Sequence, residues 1–232
     1  MWREHDRLEV EAKAEQDFVS EADRTIEDAL RTDIKAAFPS DDIVGEEHGG
    51  TVSDCFWSLD PIDGTSNFLR GLPLWGISIA YVVEGHTEVG VIALPALGLF
   101  VSADRDGKLT CNKAIVPTRR PSAIRLLAVG DNPYWAPNDI GQLERHLRES
   151  GWGVAGYRCA SVALAFAALG YTDGYLEKWT NEWDIAAGRL LCAKAGLIVE
   201  TGTQTANHAA QSWIKAASSD VLSSIEQLWP SL

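Results

Sequence analysis

Apolar and polar residues alternate in short blocks of both helical and strand period along the chain. Residues 1–18 are charged and only weakly periodic, and read as the end of a helix and a loop. Ser20-Glu21-Ala22-Asp23 has the form of a capping box, and an amphipathic helix is predicted from there to about Ala37, before Phe38-Pro39. Ile26, Ala29, Leu30, Ile34 and Phe38 fall on one face and make its expected buried stripe. Ile43-Val44-Gly45 is predicted as a brief strand leading to Glu46-Glu47, with a loop at Gly49-Gly50. Cys55–Leu59 reads as a short buried strand that Pro61 and Gly64 end in a turn, after which Thr65–Leu69 starts a helix.

Gly76–Val83 and Glu88–Ala93 follow as adjacent strands turning at Glu84-Gly85. Leu97–Ala103 and Lys108–Cys111 continue the sheet around a turn at Asp104–Gly107, so the first half is expected to pair antiparallel. Pro117–Pro121 marks an internal boundary within a single domain, 1–232, whose two lobes meet there. Beyond it, strands are predicted at Arg125–Gly130, Val154–Arg158, Gly174–Glu177, Leu197–Glu200 and Trp213–Ala217. Helices are predicted at Asn138–Ser150, Ser161–Leu169, Trp183–Ala195 and Ser219–Leu228. Alternating elements in the second half make the whole a layered α/β (α+β) sandwich.

Composition narrows the function. With 232 residues, 46% of them hydrophobic and nine Trp, the chain is long and apolar enough to bury a large core. A net charge of −13 disfavours nucleic acid and anionic membranes as partners. It also means that any phosphate chemistry needs local neutralisation, which divalent cations provide. Cys55, Cys111, Cys159 and Cys192 are widely spaced and form no CxxC pair, against zinc binding or a disulfide framework and in keeping with a reducing cytoplasm. The N-terminus is too charged for a signal peptide, and apolar runs such as Val162–Leu169 are too short to span a bilayer. A cytoplasmic protein is expected.

The stretch Trp57–Pro73 carries the densest candidate chemistry. Asp60 and Asp63 sit three residues apart at the end of an apolar run, next to a helix start whose free N–H groups attract anions. Two hard oxygen ligands beside an anion cradle suit a Mg²⁺-bridged phosphate, although Asp is also a common turn residue. Glu46-Glu47 after a strand and Asp184 at a helix start are further acids at element ends. Carboxylates brought together there would repel unless cations sat between them.

Taken together, these segments resemble a known family. Val44-Gly45-Glu46-Glu47, Leu59-Asp60-Pro61-Ile62-Asp63-Gly64-Thr65-Ser66-Asn67-Phe68 and Trp183-Asp184-Ile185-Ala186-Ala187-Gly188 are similar, in order, to the signature segments of the inositol monophosphatase family. Asp17–Asp23 resembles the upstream element. The resemblance implies a layered αβαβα sandwich of the sugar-phosphatase type, usually a homodimer, that hydrolyses a small phosphorylated alcohol with two or three Mg²⁺ ions. It places Glu46, Asp60 and the Ile62 carbonyl on a first metal, and Asp60, Asp63 and Asp184 on a second. It gives Gly64 and Thr65 amides to the phosphate, and has the Thr65 hydroxyl, paired with Asp23, orient the attacking water together with Glu46. Metal-activated water attacking directly, with no phosphoenzyme, fits this set.

Glu177 matches the substrate-binding Glu of the family, where it meets a hydroxyl or amine. Several positions depart from the pattern. Arg158-Cys159-Ala160 stands where a Gly-Ser/Thr-Ala turn is usual, Arg70 resembles some histidinol-phosphate phosphatases, and Lys194 and Leu197 replace a Glu and a Gly. Most of a first helix is missing relative to the family. His5, His48, His86, His146 and His208 do not cluster, and only His48 stands close to a candidate ligand in sequence. The alternatives are a phosphatase for histidinol phosphate or another small phosphomonoester, and a catalytically idle regulatory or binding relative.

Overall fold

The computed structural model describes residues 10–14, 17–117, 123–206 and 209–229. It opens with an antiparallel hairpin, β1 (Val10–Ala14) and β2 (Asp17–Ser20), where the sequence pattern pointed to a helix end and a loop. Then come α1 (Glu21–Ala37), β3 (Asp42–Gly45), β4 (Cys55–Asp63), the single-turn α2 (Thr65–Leu69), β5 (Gly76–Val83), β6 (His86–Leu94), β7 (Leu99–Asp104) and the short β8 (Thr110–Cys111) and β9 (Ala114–Ile115). The second half contains β10 (Leu126–Val129), α3 (Pro137–Glu149), β11 (Gly153–Ala155), α4 (Ala160–Leu169), β12 (Gly174–Thr180), α5 (Glu182–Lys194), β13 (Ile198–Ala206), β14 (Ala209–Ala217) and α6 (Ser219–Ile225). Residues 118–122, most of the expected lobe boundary, lie outside the described residues.

Besides the β1-β2 hairpin, the described residues form two larger sheets, β3-β4-β5-β6-β7-β8-β9 and β11-β10-β12-β14-β13. The expected antiparallel pairing holds from β4 to β9, whereas β3 runs parallel to β4. Between the sheets lie α4 and α5. Their apolar side chains Val162, Leu164, Ile185 and Leu191 join Phe56, Val82 and Ile92 of one sheet and Tyr175 and Ile214 of the other in a single core. Leu143 and Leu147 of α3 and Val221 and Ile225 of α6 cover the far face of the second sheet against Leu127, Val129 and Leu176. On the far face of the first sheet, Ala22 and Ile26 of α1 pack with Ile62, Phe68 and Trp75. The layers therefore run helix, sheet, helix, sheet, helix.

Three details differ from the hydrophobic pattern, and all bear on function. The buried positions of α1 are Ala22, Asp23 and Glu27. Ile26, Leu30 and Ile34 of the expected stripe are half-buried, Ala29 is exposed, and Phe38 stacks on Trp57 at the surface with ring centroids 5.4 Å apart. Strand β4 continues through Pro61 to Asp63 where a turn was expected, because a register shift against β5 between Asp60 and Asp63 takes up the proline, which has no N–H for the ladder. Beyond β11, Tyr157 and Arg158 leave the predicted strand, and Arg158 is left-handed at φ 51°.

Helix α5 fits so closely because its own Gly188 faces α4 and Gly90 of β6 faces it. A Cβ on Gly188 would come within 2.6 Å of Leu164 Cβ, and one on Gly90 within 2.8 Å of the Ala187 carbonyl oxygen. Helix propensity alone favours Gly188→Ala by about 1 kcal/mol, but forced overpacking costs about 1–3 kcal/mol and should dominate. Urea unfolding of that variant is expected to show a net loss of stability; a gain would mean that α4 and α5 are not in this contact.

Candidate functional site

The candidate acids reach one place from three segments. Asp60 and Asp63 stand on the irregular end of β4, only 1% and 8% exposed. Glu46 begins the turn after β3, and its amide donates to the Leu59 carbonyl at 3.1 Å, so it lies beside the residue before Asp60. Asp184 occupies the first turn of α5, where its carboxylate accepts from the Thr180 hydroxyl at 2.6 Å and the Asn181 amide at 2.7 Å. With Asn181 it forms a capping box, which explains this Asp locally. Ser78 of β5, opposite Asp60 in the ladder, donates to the Trp183 carbonyl at 3.0 Å and ties the start of α5 to β4.

Gly64 follows at φ 84°, a left-handed conformation that favours glycine, and a Cβ there would lie 2.9 Å from that of Cys159. The Thr65 hydroxyl lies 3.0 Å from the Ile62 carbonyl and 3.4 Å from Asp23 Oδ1, so its single proton serves one or the other. Asp63 accepts from the Ala160 and Ser161 amides at the start of α4, and the Cys159 thiol donates to the Asp63 carbonyl. The departing segment Arg158-Cys159-Ala160 is thus in direct contact with the β4 terminus.

Burial and mutual repulsion dominate the electrostatics. Burial first, then Glu46, Asp63 and Asp184, push the Asp60 carboxyl well above the carboxylate range. Asp63 is raised to about 7, by burial and then by Asp184, against the lowering hydrogen bonds from Ser161. Asp184 is also raised by burial, with Thr180 and Asn181 opposing. Like charges this close cannot all ionise unaided.

Whether the residues fit divalent metal is decided by their free valences. Among the described residues no three His, Cys, Asp or Glu groups form a ready-made metal cage, since Asp63 and Asp184 are turned onto neighbouring amides. Asp60 Oδ1, however, is buried with no hydrogen-bond partner. A buried acceptor in that state calls for a ligand. Its surroundings are oxygen donors, the chemistry of Mg²⁺ and not of softer metals, so the donor set fits Mg²⁺.

A cleft of about 170 Å³ opens on this centre, lined on one side by Asp63, Gly64 and Thr65. Glu177 lines it too, 7% exposed and accepting from the Tyr175 hydroxyl at 2.6 Å and Asn132 Nδ2 at 3.1 Å. Burial, opposed by those two bonds, raises its carboxyl to about 7, with Asp184 and Asp63 adding. The remaining wall was not visible in sequence. Asp131, Asn132 and Tyr134 come from the loop after β10, and Trp179 sits at φ 61°. Arg158 crosses the mouth to Asp131 at 3.1 Å. Arg70 is exposed and lies outside this lining, and His48 turns away to Asp28 on α1 at 3.1 Å.

Comparison with known proteins agrees with this arrangement. Residues 2–227 match the Inositol monophosphatase family. The chain belongs to that family. An inositol-1-monophosphatase from Mesorhizobium japonicum is 35% identical over 82% of this chain and 74% of its own length. Nus factor SuhB of Pasteurella multocida is 33% identical over 85% of this chain and 77% of that protein. The crystal structure of the extragenic suppressor protein SuhB from Bartonella henselae superposes with a TM-score of 0.87 at 26% identity, covering 100% of this chain and 92% of that one. The layered sandwich of this inositol monophosphatase family member is therefore shared with solved relatives.

The raised carboxyls carry a pH signature. Between the ordinary Asp and Glu values near 4 and the folded values near 7, the native state keeps protons that the unfolded chain has lost. Stability without divalent metal should therefore fall as pH rises through that window. Thermal unfolding in EDTA is expected to show a higher midpoint at the acid end, and Asp63→Asn should flatten the slope. An unchanged slope in Asp63→Asn would contradict these protonation states.

Proposed function

We propose that the chain is a Mg²⁺-dependent phosphatase for a small phosphomonoester of the inositol monophosphate type, acting by direct attack of water with no covalent phosphoenzyme. The observation that carries the reading is the convergence of Glu46, Asp60, Asp63 and Asp184 with Asp60 Oδ1 left buried and unpartnered. Glu46, Asp60 and the Ile62 carbonyl would hold one ion, and Asp60, Asp63 and Asp184 a second, with Asp60 bridging. Bound there, Mg²⁺ supplies Lewis-acid stabilisation of the phosphate charge and a lowered pKa for water.

The chain's own groups do the rest. The Thr65 hydroxyl, donating to Asp23 or the Ile62 carbonyl, turns a lone pair outward and orients the water with Glu46. Gly64 and Thr65 offer backbone N–H groups to the phosphate. Glu177 receives a hydroxyl or amine of the alcohol, held in place by Asn132 and Tyr175. The buried Glu177 carboxylate on the cleft wall suits a small polyol or amino alcohol. Among substrates of that size, histidinol phosphate is the runner-up. Homodimers in the cytoplasm, without nucleic-acid or membrane partners, complete the proposal; no helix among the described residues is long and apolar enough to cross a membrane.

A second reading, as a regulatory binding protein, draws support from relatives named Nus factor SuhB. Phosphate release over a panel of phosphomonoesters, with Mg²⁺ and with EDTA, separates the two. Metal-dependent release from at least one small ester is expected, and its loss in folded Asp60→Asn by at least about 100-fold. No release from any ester supports the regulatory reading. Glu177→Ala should change the ranking of substrates or raise KM with kcat less affected. An unaltered substrate profile would remove Glu177 from the cleft's chemistry.

A further inference from the structure

We propose that Glu27 is a positioning residue for the metal centre, its carboxylate clamping the backbone of the turn that carries Glu46. The inference rests on the magnesium-phosphatase reading above. Glu27 lies one helical turn after Asp23 on the same face of α1 and is fully buried, at 0% exposure. A buried carboxylate is costly unless it is paired and hydrogen-bonded. Here it receives three donors. The Glu47 amide donates to Oε2 at 2.8 Å, and the His48 amide at 3.2 Å and Arg31 Nε at 2.7 Å donate to Oε1.

Two of those donors are the backbone amides directly after Glu46. Arg31 extends the clamp by donating to the Gly49 carbonyl, and Gly45 and Gly49 close the turn with reciprocal amide bonds of 3.0 and 2.9 Å. On its other side, the Glu46 amide is fixed to Leu59. Glu46 is thus held between β4 and the Glu27 carboxylate. The fit leaves no slack, since a Cβ on Gly45 would lie 2.1 Å from Glu27 Oε1. An ordinary Glu–Arg pair along a helix needs neither burial nor backbone amides, so the pairing with Arg31 alone does not explain the arrangement. Helix α1 then serves the site twice, with Asp23 toward Thr65 and Glu27 toward the Glu46 turn.

The test perturbs the clamp from both sides and reads metal binding directly. Glu27→Gln keeps the side-chain shape but loses one acceptor, and Gly45→Ala drives a methyl into the carboxylate. Mg²⁺ binding by calorimetry is compared across these variants, wild type and Asp184→Asn, with unfolding in EDTA as the check of fold. Groups that orient metal ligands typically cost about 10–100-fold in affinity when altered, and that loss is expected in both Glu27→Gln and Gly45→Ala. At saturating Mg²⁺, kcat should stay lowered while the KM for the phosphoester stays near wild type. Folded variants that bind Mg²⁺ as tightly as wild type would overturn the clamp while leaving the metal centre standing. Wild type binding no better than Asp184→Asn would overturn the metal centre and the clamp together.

Discussion

Repulsion among buried carboxylates is the constraint on which the rest of the site depends. Asp60 is almost wholly removed from water, and Glu46, Asp63 and Asp184 all act to keep it protonated. An apolar or amide residue at any of these positions would relieve the strain, so stability alone gives no reason for the arrangement. The proposed metal site gives one, because bound divalent cations would turn the same repulsion into a binding energy. Perturbed carboxyls in a cleft are a common mark of such sites.

The scaffold generates this crowding by bringing distant segments very close. The irregularity in β4 swings Asp63 toward the start of α4, where two amides meet its carboxylate. Helix α5 descends on the sheet at Gly90 and on α4 at Gly188, and Ser78 fixes its first turn above Asp60. On the far side of the sheet, α1 reaches the same centre through Asp23 and Glu27. Core packing and site geometry are therefore one structure, and a methyl group in the wrong glycine disturbs both.

Much of this was legible in the chain. The two segments turning at Glu84-Gly85 marked β5 and β6, and the string from Asp60 to Phe68 with Trp183-Asp184 identified acids that converge. Local pattern fell short where tertiary contacts overrode it. Pro61 signalled a turn, yet the sheet absorbed it in a register shift. The stripe drawn on α1 assumed that burial follows hydrophobicity, whereas the residues buried there include Asp23 and Glu27. Nothing about Glu27 in sequence separates it from a solvated helix acid, because its partners lie about twenty residues away on a turn. The wall of Asp131, Asn132, Tyr134 and Trp179 was hidden for the same reason, coming from loops and from left-handed backbone that periodicity does not reveal.

Mn²⁺, an oxygen-seeking stand-in for Mg²⁺ with an anomalous signal, can locate the ions without reference to any substrate. The most direct measurement is an anomalous difference map from crystals of the protein grown with Mn²⁺ and phosphate. The account predicts peaks bonded to Asp60, with Oδ1 among the ligands, and shared with Glu46 on one side and with Asp63 and Asp184 on the other. A map with no peak at Asp60 under saturating Mn²⁺ would contradict it.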